Sequence, residues 1–498
     1  MLLSQEFVES GPLQDRVNSQ SLSYPERIIQ IGEGNFLRAF ADWVIHRLNQ
    51  TNRFQGRVVV AAPRPHGGKN ITNLNHQDGL YTVWLRGVQQ GKTIDEPEIV
   101  TSVSRGIDPS QDWRAFLECA ESPDIQIVIS NTTEAGLAYK PEPFHSSNPQ
   151  VMFPARLTAY LYHRYQRFSG SLEAGMMIIP CELVEDNGVR LKELVLQYAA
   201  DWKLSQAFVH WLSDANCFCN TLVDRIVTGK PSLPPEDIEA RLGYRDNLVT
   251  VAEPFYLWVI QGDDRLKQLL GVHGDNSLNV HIVDDVVPFQ LKKVRILNGA
   301  HTAMSAVAHF AGIETVREVV EDSVVGHFIR TIIAEEIVPA LTCQGITTKE
   351  SEPFAEEVWE RFSNPFIQHQ ISSLALNGLA KIKSRLLPTL LDYVEKFGDS
   401  PKLLAASFAA SLLFYKNADQ PGEKWIISDD PVLVAEIQRI WEEDNQTVEE
   451  TVTKLLSLES VWGTTLAELP GLCQYVVSAV QGIRQLGMRA YLIKKGWA

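Results

Sequence analysis

Along the first half of the chain, short apolar runs alternate with stretches whose apolar residues recur every three to four positions. "RIIQI" (27–31), "RVVVAA" (57–62), "IQIVIS" (125–130), "GMMIIPCEL" (175–183) and "NVHIVDD" (279–285) are short, rich in branched side chains and bounded by turn residues, which predicts buried strands. Between them, "DWRAFLECAES" (112–122) and "ARLTAYLYHRYQRF" (155–168) carry helical periodicity, and "WKLSQAFVHWL" (202–212) and "PPEDIEARLG" (234–243) read as helical insertions. Strands alternating with helices predict a parallel sheet covered on both faces. Near residue 290 the pattern changes. Strand-like runs nearly vanish, and long helical periodicity takes over, as in 323–341 and 400–416. The most loop-like stretch of the second half is "KNADQPGEKW" (416–425). The predicted organisation is an α/β domain over 1–290 and a mainly α-helical domain over 291–498.

Bulk properties narrow the function. At roughly 150 residues per domain, 498 residues make two or three domains. The 45 basic and 61 acidic residues leave a formal net charge of -16. Such a surface repels nucleic acid and anionic lipid, so neither is an expected partner. An anionic small molecule needs only a local basic pocket. Cys119, Cys181, Cys217, Cys219, Cys343 and Cys473 are too sparse for a disulfide framework and fit a reducing compartment. Cys217 and Cys219 form C-x-C without a second pair or a nearby histidine, so no metal site is expected there. The amino terminus lacks a basic start and a long apolar run, and no stretch reaches the roughly 18 apolar residues of a membrane span. The expected location is the cytoplasm.

Candidate chemistry begins at "RIIQIGEGNFLRAFADWVIHRLNQ" (27–50). Ile29, Gln30 and Ile31 end a strand, Gly32-Glu33-Gly34 form a turn, and Asn35, Phe36, Leu37, Arg38, Ala39 and Phe40 open a helix. The stripe Phe36, Leu37, Phe40, Trp43, Val44 and Leu48 follows helical spacing. Strand, Gly-x-Gly and helix in that order make a Rossmann-like dinucleotide turn, in which glycine lets backbone N–H groups approach a pyrophosphate. Leu37 stands where a third glycine would fall, and Pro63 and Arg64 replace the acidic residue expected after the second strand. Taken alone, the motif also fits a plain tight turn. Arg38 is placed to reach a phosphate or to stand as a solvated helix charge.

A second stretch, "KKVRILNGAHTAMSAV", starts at 292. At about 100° per residue, Asn298 and His301 lie about 60° apart on a helix and Lys293 lies about 80° from His301. All three can face one cleft. Oxidising an alcohol needs a base for the hydroxyl proton and donors for the oxygen as charge develops. A lysine whose pKa is depressed by burial can be that base, Asn298 can donate to the oxyanion, and His301 can orient a hydroxyl. The same spacing also suits a surface lysine, a helix-start asparagine and a core histidine.

Together the two stretches carry a resemblance. G-x-G-x-F-x-R (Gly32, Gly34, Phe36, Arg38) and K-x4-N-x2-H (Lys293, Asn298, His301) resemble the polyol-specific long-chain dehydrogenases, the mannitol dehydrogenase family. "QDGLYT" (77–82), "NTTEAG" (131–136), "TLVDRIVTG" (221–229) and "RFSNPFIQHQISSLALNGLAKIKSRLLP" (361–388) extend the likeness over nearly the whole chain. The resemblance implies a metal-independent oxidoreductase with NAD as cofactor and the lysine as general acid and base. Within the group, "PERIIQIGEGNFLRAFADW" and "ILNGAHTA" imply interconversion of D-altronate and D-tagaturonate in hexuronate catabolism. The alternatives are fructuronate reduction, mannitol oxidation, or a non-catalytic dinucleotide sensor, which would not need a proton-transfer base. Thr132, Thr133 and Glu134 follow a strand and either line the nicotinamide side or cap a helix. A sugar acid calls for a basic partner to its carboxylate. Arg361, Lys381 and Arg385 are the candidates, each equally readable as a solvated helix charge. The family's Cys-Asp-Asn string, source of a second oxyanion asparagine, is replaced by Cys181-Glu182-Leu183, with Asn187 in a shifted register. Arg64 is also placed to hold a 2′-phosphate, so the choice of NAD over NADP rests on the resemblance.

Overall fold

A computed structural model describes residues 1–498 apart from 11–12, 14–16, 64–67, 133, 273–277 and 417–426. Arg64, Thr133 and all but the first residue of the 416–425 loop therefore lie outside the described residues, as does the side chain of Glu134. The chain forms two compact units. One comprises Met1–Arg86 and Thr93–Val286; the other comprises Gly87–Lys92 and Val287–Ala498.

The first unit is built on six parallel strands: β1 (Glu26–Ile31), β2 (Arg57–Ala61), β3 (Val103–Ile107), β4 (Ile127–Ser130), β5 (Met177–Pro180) and β6 (Cys217–Phe218). Their spatial order is β3-β2-β1-β4-β5-β6. This is the doubly wound dinucleotide-binding order, which reverses direction between β1 and β4. Alternate residues of each strand enter opposite cores, as the two-residue period of a strand requires. Ile29, Ile31, Val59 and Val128 pack with Phe116, Leu157, Tyr160, Leu191 and Phe208 from the helices Trp113–Glu121, Phe153–Arg167, Asn187–Asp201 and Gln206–Asp214. Ile28, Val58, Val60 and Ile127 pack with Phe40, Trp43, Val44 and Leu48 on the other side.

Two expectations need correction here. The strand at 279–285 forms, as Val280–Val283, but it does not join the parallel sheet. It pairs with Leu257–Gln261, which runs antiparallel to Thr221–Asp224. Trp258, Ile260 and Val280 of this small sheet bury themselves against the large one, so one face is covered partly by strands. Apolar pattern marks a strand as buried but not which sheet receives it. The pattern also left out a four-stranded sheet containing Tyr81–Gln89 and Lys92–Val100. The latter is an edge strand with mostly exposed, charged positions and Pro97 within it, a composition that erases the apolar signal.

The second unit is helical. At its centre lies Lys402–Lys416, whose apolar residues point to all sides and are nearly all buried, as expected of a core helix. Ser407 Oγ ties it to the carbonyl of Ala303 at 2.7 Å. The predicted helix over 323–341 is interrupted. Val325–Thr331 runs into a π-turn at Ile332–Ile337, followed by a short helix at Val338–Ala340. Two more π-turns occupy Lys293–Asn298 and Ile382–Leu386. The wide π-turn is rare in proteins and recurs at functional sites.

Candidate active site

The glycine turn follows β1 at the point where the strand order reverses, outside the carboxyl ends of the strands, where ligands bind in such sheets. Gly32 has φ +143°, and a Cβ there would lie 2.8 Å from Leu37 Cδ1 and 3.0 Å from the Asn131 carbonyl. Only glycine fits. Leu37, in place of the third glycine, is buried and closes over Gly32. Gly34 is different: it is exposed, and a Cβ would meet nothing within 4 Å. The crest of the turn is thus open at the start of the helix Asn35–Ala39. Ile29, Ile31, Leu37, Ala39 and Phe40 have core side chains, so only their backbone is available to a cofactor.

Behind the turn is a buried polar brace. Arg38 is neither a solvated helix charge nor aimed outward. It is buried, and its guanidinium donates to the Glu33 carbonyl, to Asn35 Oδ1 (2.6 Å) and to Thr250 Oγ1 (3.2 Å). Gln30 Nε2 donates to the Gly32 carbonyl (3.0 Å) and to Asp42 Oδ2 (3.3 Å), which also accepts from Tyr81 OH (3.1 Å). Burial pushes the Asp42 carboxyl up to about 7 despite these donors and the Arg38 charge. The continuous helix read from Phe36 to Leu48 breaks at Phe40, where φ is -125° and ψ is -85°. Tyr81 OH takes the Arg38 carbonyl (3.0 Å) and Arg225 takes that of Ala39 (2.6 Å), so these carbonyls have partners outside the helix.

Loops after β4 and β5 are joined by Glu182. Its carboxylate accepts from Thr132 N (2.9 Å), Thr132 Oγ1 (3.2 Å) and Ser130 Oγ (3.1 Å), while burial raises its pKa. Glu182 thus holds the backbone that borders the crevice, a role its place in the altered Cys-Glu-Leu string did not reveal. Asn187 is buried and saturated. Its amide donates to the Pro180 and Glu182 carbonyls and to Thr221 Oγ1, and its oxygen accepts from Thr221 N at 2.9 Å. It braces the start of its helix and has no donor left for an oxyanion.

In the second unit Lys293 and Asn298 begin and end a π-turn. Gly299 N–H donates to the Val294 carbonyl, the i→i+5 bond of that geometry. On an α-helix residues five apart would lie about 140° from each other. The π-turn replaces, over Lys293–Asn298, the uniform α-helix assumed from spacing. Arg295, buried, anchors the turn through Asp392 (3.0 Å) and Thr389 Oγ1 (2.9 Å). The other two π-turns close on the same place: Ile337 Cδ1 and the Arg385 carbonyl stand 3.7 and 3.8 Å from where a Gly299 Cβ would be.

His301 follows on the helix Gly299–Ala311. Its Nε2 is enclosed and has no hydrogen-bond partner among the described residues. Its ring lies 4.4 Å from that of Phe362 and 4.9 Å, edge to face, from that of His369. Burial, then His369, then the charges of Arg361, Arg385 and Lys381 push the His301 imidazole well below its ordinary value. The charges of all three predicted carboxylate candidates are thus felt at His301. Arg361 is buried, and Lys381 and Arg385 are half-buried, so none is a solvated helix charge. His369 escaped the sequence reading. It stands inside the quoted 361–388 stretch, but nothing local marks "QHQ" as facing residue 301. Cys217 and Cys219 place their sulfurs 3.7 Å apart, and among the described residues no group of three or more metal-ligating side chains occurs.

Comparison with known proteins matches this arrangement. Residues 26–273 match the mannitol dehydrogenase Rossmann domain and residues 285–484 the mannitol dehydrogenase C-terminal domain. An altronate oxidoreductase of Bacillus subtilis (strain 168) is 44% identical over 480 residues, covering 96% of this chain and 97% of that one. One from Klebsiella pneumoniae (strain 342) is 44% identical over 470 residues, covering 94% and 96%. Among solved structures, Pseudomonas fluorescens mannitol 2-dehydrogenase, a ternary complex with NAD and D-mannitol, aligns with TM-score 0.65 at 22% identity over 99% of both chains. A substrate-free D-sorbitol dehydrogenase aligns with TM-score 0.76 at 20% identity over 99% of this chain and 100% of that one. At those identities the two structures speak for the fold. With a dinucleotide-type sheet in one unit, the lysine, asparagine and histidine in the other, and both family domains matched, the chain belongs to the mannitol dehydrogenase family.

Proposed function

We infer that this chain is an NAD-dependent dehydrogenase that interconverts D-altronate and D-tagaturonate. The observation that carries the substrate is that the charges of Arg361, Lys381 and Arg385 act at His301, in a chain of net charge -16 and near-full-length likeness to altronate oxidoreductases. A polyol needs no such charge, whereas a sugar acid brings a carboxylate that does. Its six free thiols suit the cytoplasm, and among the described residues no helix is long and apolar enough to cross a membrane.

Gly32 supplies the bend and Gly34 the open crest for the pyrophosphate, with Glu33 and Asn35 flanking it and Thr132 and Glu134 on the nicotinamide side. When bound, NAD supplies hydride acceptance in oxidation and donation in reduction. Lys293 takes the hydroxyl proton of altronate and returns it to the carbonyl oxygen of tagaturonate in reduction. Asn298 donates to that oxygen as charge builds on it. His301, held neutral, offers its enclosed Nε2 to a substrate hydroxyl. Steady-state reduction of tagaturonate and fructose with NADH and with NADPH tests the reading. The expected result is far higher kcat/KM for tagaturonate with NADH. Equal efficiency on the two sugars moves the assignment to a polyol dehydrogenase.

A further inference from the structure

We propose that Cys217 and Cys219 form a reversible oxidation site that closes to an intrachain disulfide when peroxide reaches Cys217. None of the residues assigned to catalysis or cofactor binding takes part, so the site stands or falls separately from the dehydrogenase reading.

Cys217 opens β6, the two-residue edge strand of the parallel sheet, and Cys219 follows directly after it. Cys217 N donates to the Met176 carbonyl (3.0 Å) and Cys219 N to that of Ile178 (2.8 Å), so strand pairing extends through both. Alternation along a strand then puts the two side chains on one face. Both pack with the core that holds Ile28 and Trp258, whereas Phe218 between them packs with the core of Phe208 and Trp211. The two sulfurs stand 3.7 Å apart. A disulfide needs about 2.0 Å, so closure brings them about 1.7 Å nearer. Among the described residues β6 pairs with β5 alone, which leaves its other edge free to pucker. The sulfurs also differ in access: Cys219 is buried and Cys217 is partly exposed.

That difference assigns the roles. The Cys219 thiol facing it holds the Cys217 thiol below its ordinary value, with help from the charges of Arg265 and Lys192 and against burial and Asp263. Arg265 donates to the Gly175 carbonyl (2.6 Å), and Asp263 caps the helix Asp264–Leu270 by accepting from Leu266 N (3.1 Å). A thiolate is the nucleophile of sulfur oxidation, and the accessible one reacts first. Cys217 Sγ attacks a peroxide oxygen and the O–O bond breaks. Hydroxide leaves and takes a proton from solvent, and Cys217 carries the other oxygen as a sulfenic acid. Cys219 Sγ then attacks Cys217 Sγ, the S–O bond breaks, and the departing hydroxide takes the Cys219 thiol proton as water. In sum two thiols are oxidised to one disulfide and one peroxide is reduced to two waters. A resolving thiol already in contact spares the sulfenic acid from further, irreversible oxidation. Thiol reductants of a reducing compartment return the pair to the dithiol.

The test is mass spectrometry of the full chain after brief exposure to hydrogen peroxide, with the remaining thiols blocked by N-ethylmaleimide before digestion. Cys217 and Cys219 fall together in the tryptic fragment 204–225, which contains no other cysteine. From the wild type that fragment is expected lighter by two hydrogens and free of maleimide, and labelled at both cysteines when dithiothreitol precedes the block. In Cys219→Ala and Cys219→Ser, each checked by its melting temperature, peroxide should leave Cys217 as a sulfenic acid that dimedone traps. Longer exposure should carry it to the sulfinic acid, which dithiothreitol does not reverse. Double maleimide labelling of the wild-type fragment at a peroxide dose that oxidises the exposed Cys343 overturns the proposal. So does an equal yield of dimedone adduct in the wild type and in the folded Cys219 variants.

Discussion

At the scale of single residues, Lys293 and Asp42 make separate predictions. Lys293→Ala is expected to fold and bind NADH normally but to lose roughly 10²–10⁴ in turnover, the scale of a general acid–base group. Single-turnover oxidation of altronate across pH checks this. A variant that keeps both rate and pH profile removes Lys293 from the role. Asp42 predicts a stability slope. Unfolded, its carboxyl ionises near its ordinary 3.8; folded, burial holds the proton up to about 7. Between those values the folded state binds the extra proton, so stability falls as pH rises across the window. Asp42→Asn removes that term, and the variant should gain on the wild type in urea midpoints as pH rises from about 4 to about 7. Parallel curves would show that Asp42 does not titrate there. These residues differ in legibility. Lys293 could be named from its spacing to Asn298 and His301. Asp42 reads as a helix-face acid, because its burial depends on Gln30 and Tyr81, which are distant in sequence.

At the scale of elements, the π-turn Lys293–Asn298 matters most, and Arg295 anchors it. Its ion pair with Asp392 has side-chain exposures of only 7% and 13%. Breaking a buried pair leaves an uncompensated charge, at a cost of roughly 3–5 kcal/mol. Arg295→Met is expected near the low end of that range by chemical denaturation, with kcat falling as the turn loosens. The double variant Arg295→Met/Asp392→Leu should recover most of the stability. A single variant as stable as wild type would mean the pair does not anchor the turn. The sequence marks a helix here but not its pitch. The turn packs against Ile332–Ile337 and Ile382–Leu386, both distant in the chain. The break at Phe40 has a similar origin, since Tyr81 and Arg225 take the Arg38 and Ala39 carbonyls from outside the helix.

At the scale of the whole molecule, ligand binding couples the glycine turn to global stability. NADH at about 100 times its Kd should stabilise the unit that holds it by about 2.7 kcal/mol. Gly34→Asp should melt like the wild type without ligand, because its Cβ meets nothing within 4 Å, yet show no NADH-dependent rise. An unchanged rise would place the pyrophosphate elsewhere. Gly32→Asp serves as contrast, since its backbone and its crowding by Leu37 forbid a side chain even without ligand. The sequence alone determined the alternation of strands and helices, the helical second half, the glycine turn and the lysine–asparagine–histidine spacing. Each is written in residues close together in the chain, where the two-residue and 3.6-residue periods and the conformational range of glycine act locally. Tertiary structure alone decided the strand order β3-β2-β1-β4-β5-β6, the separate sheet that receives Val280–Val283, the burial of Arg38, and the meeting of His301 with His369. These depend on contacts between residues far apart in the chain, and such contacts leave no periodic trace in either partner's own neighbourhood.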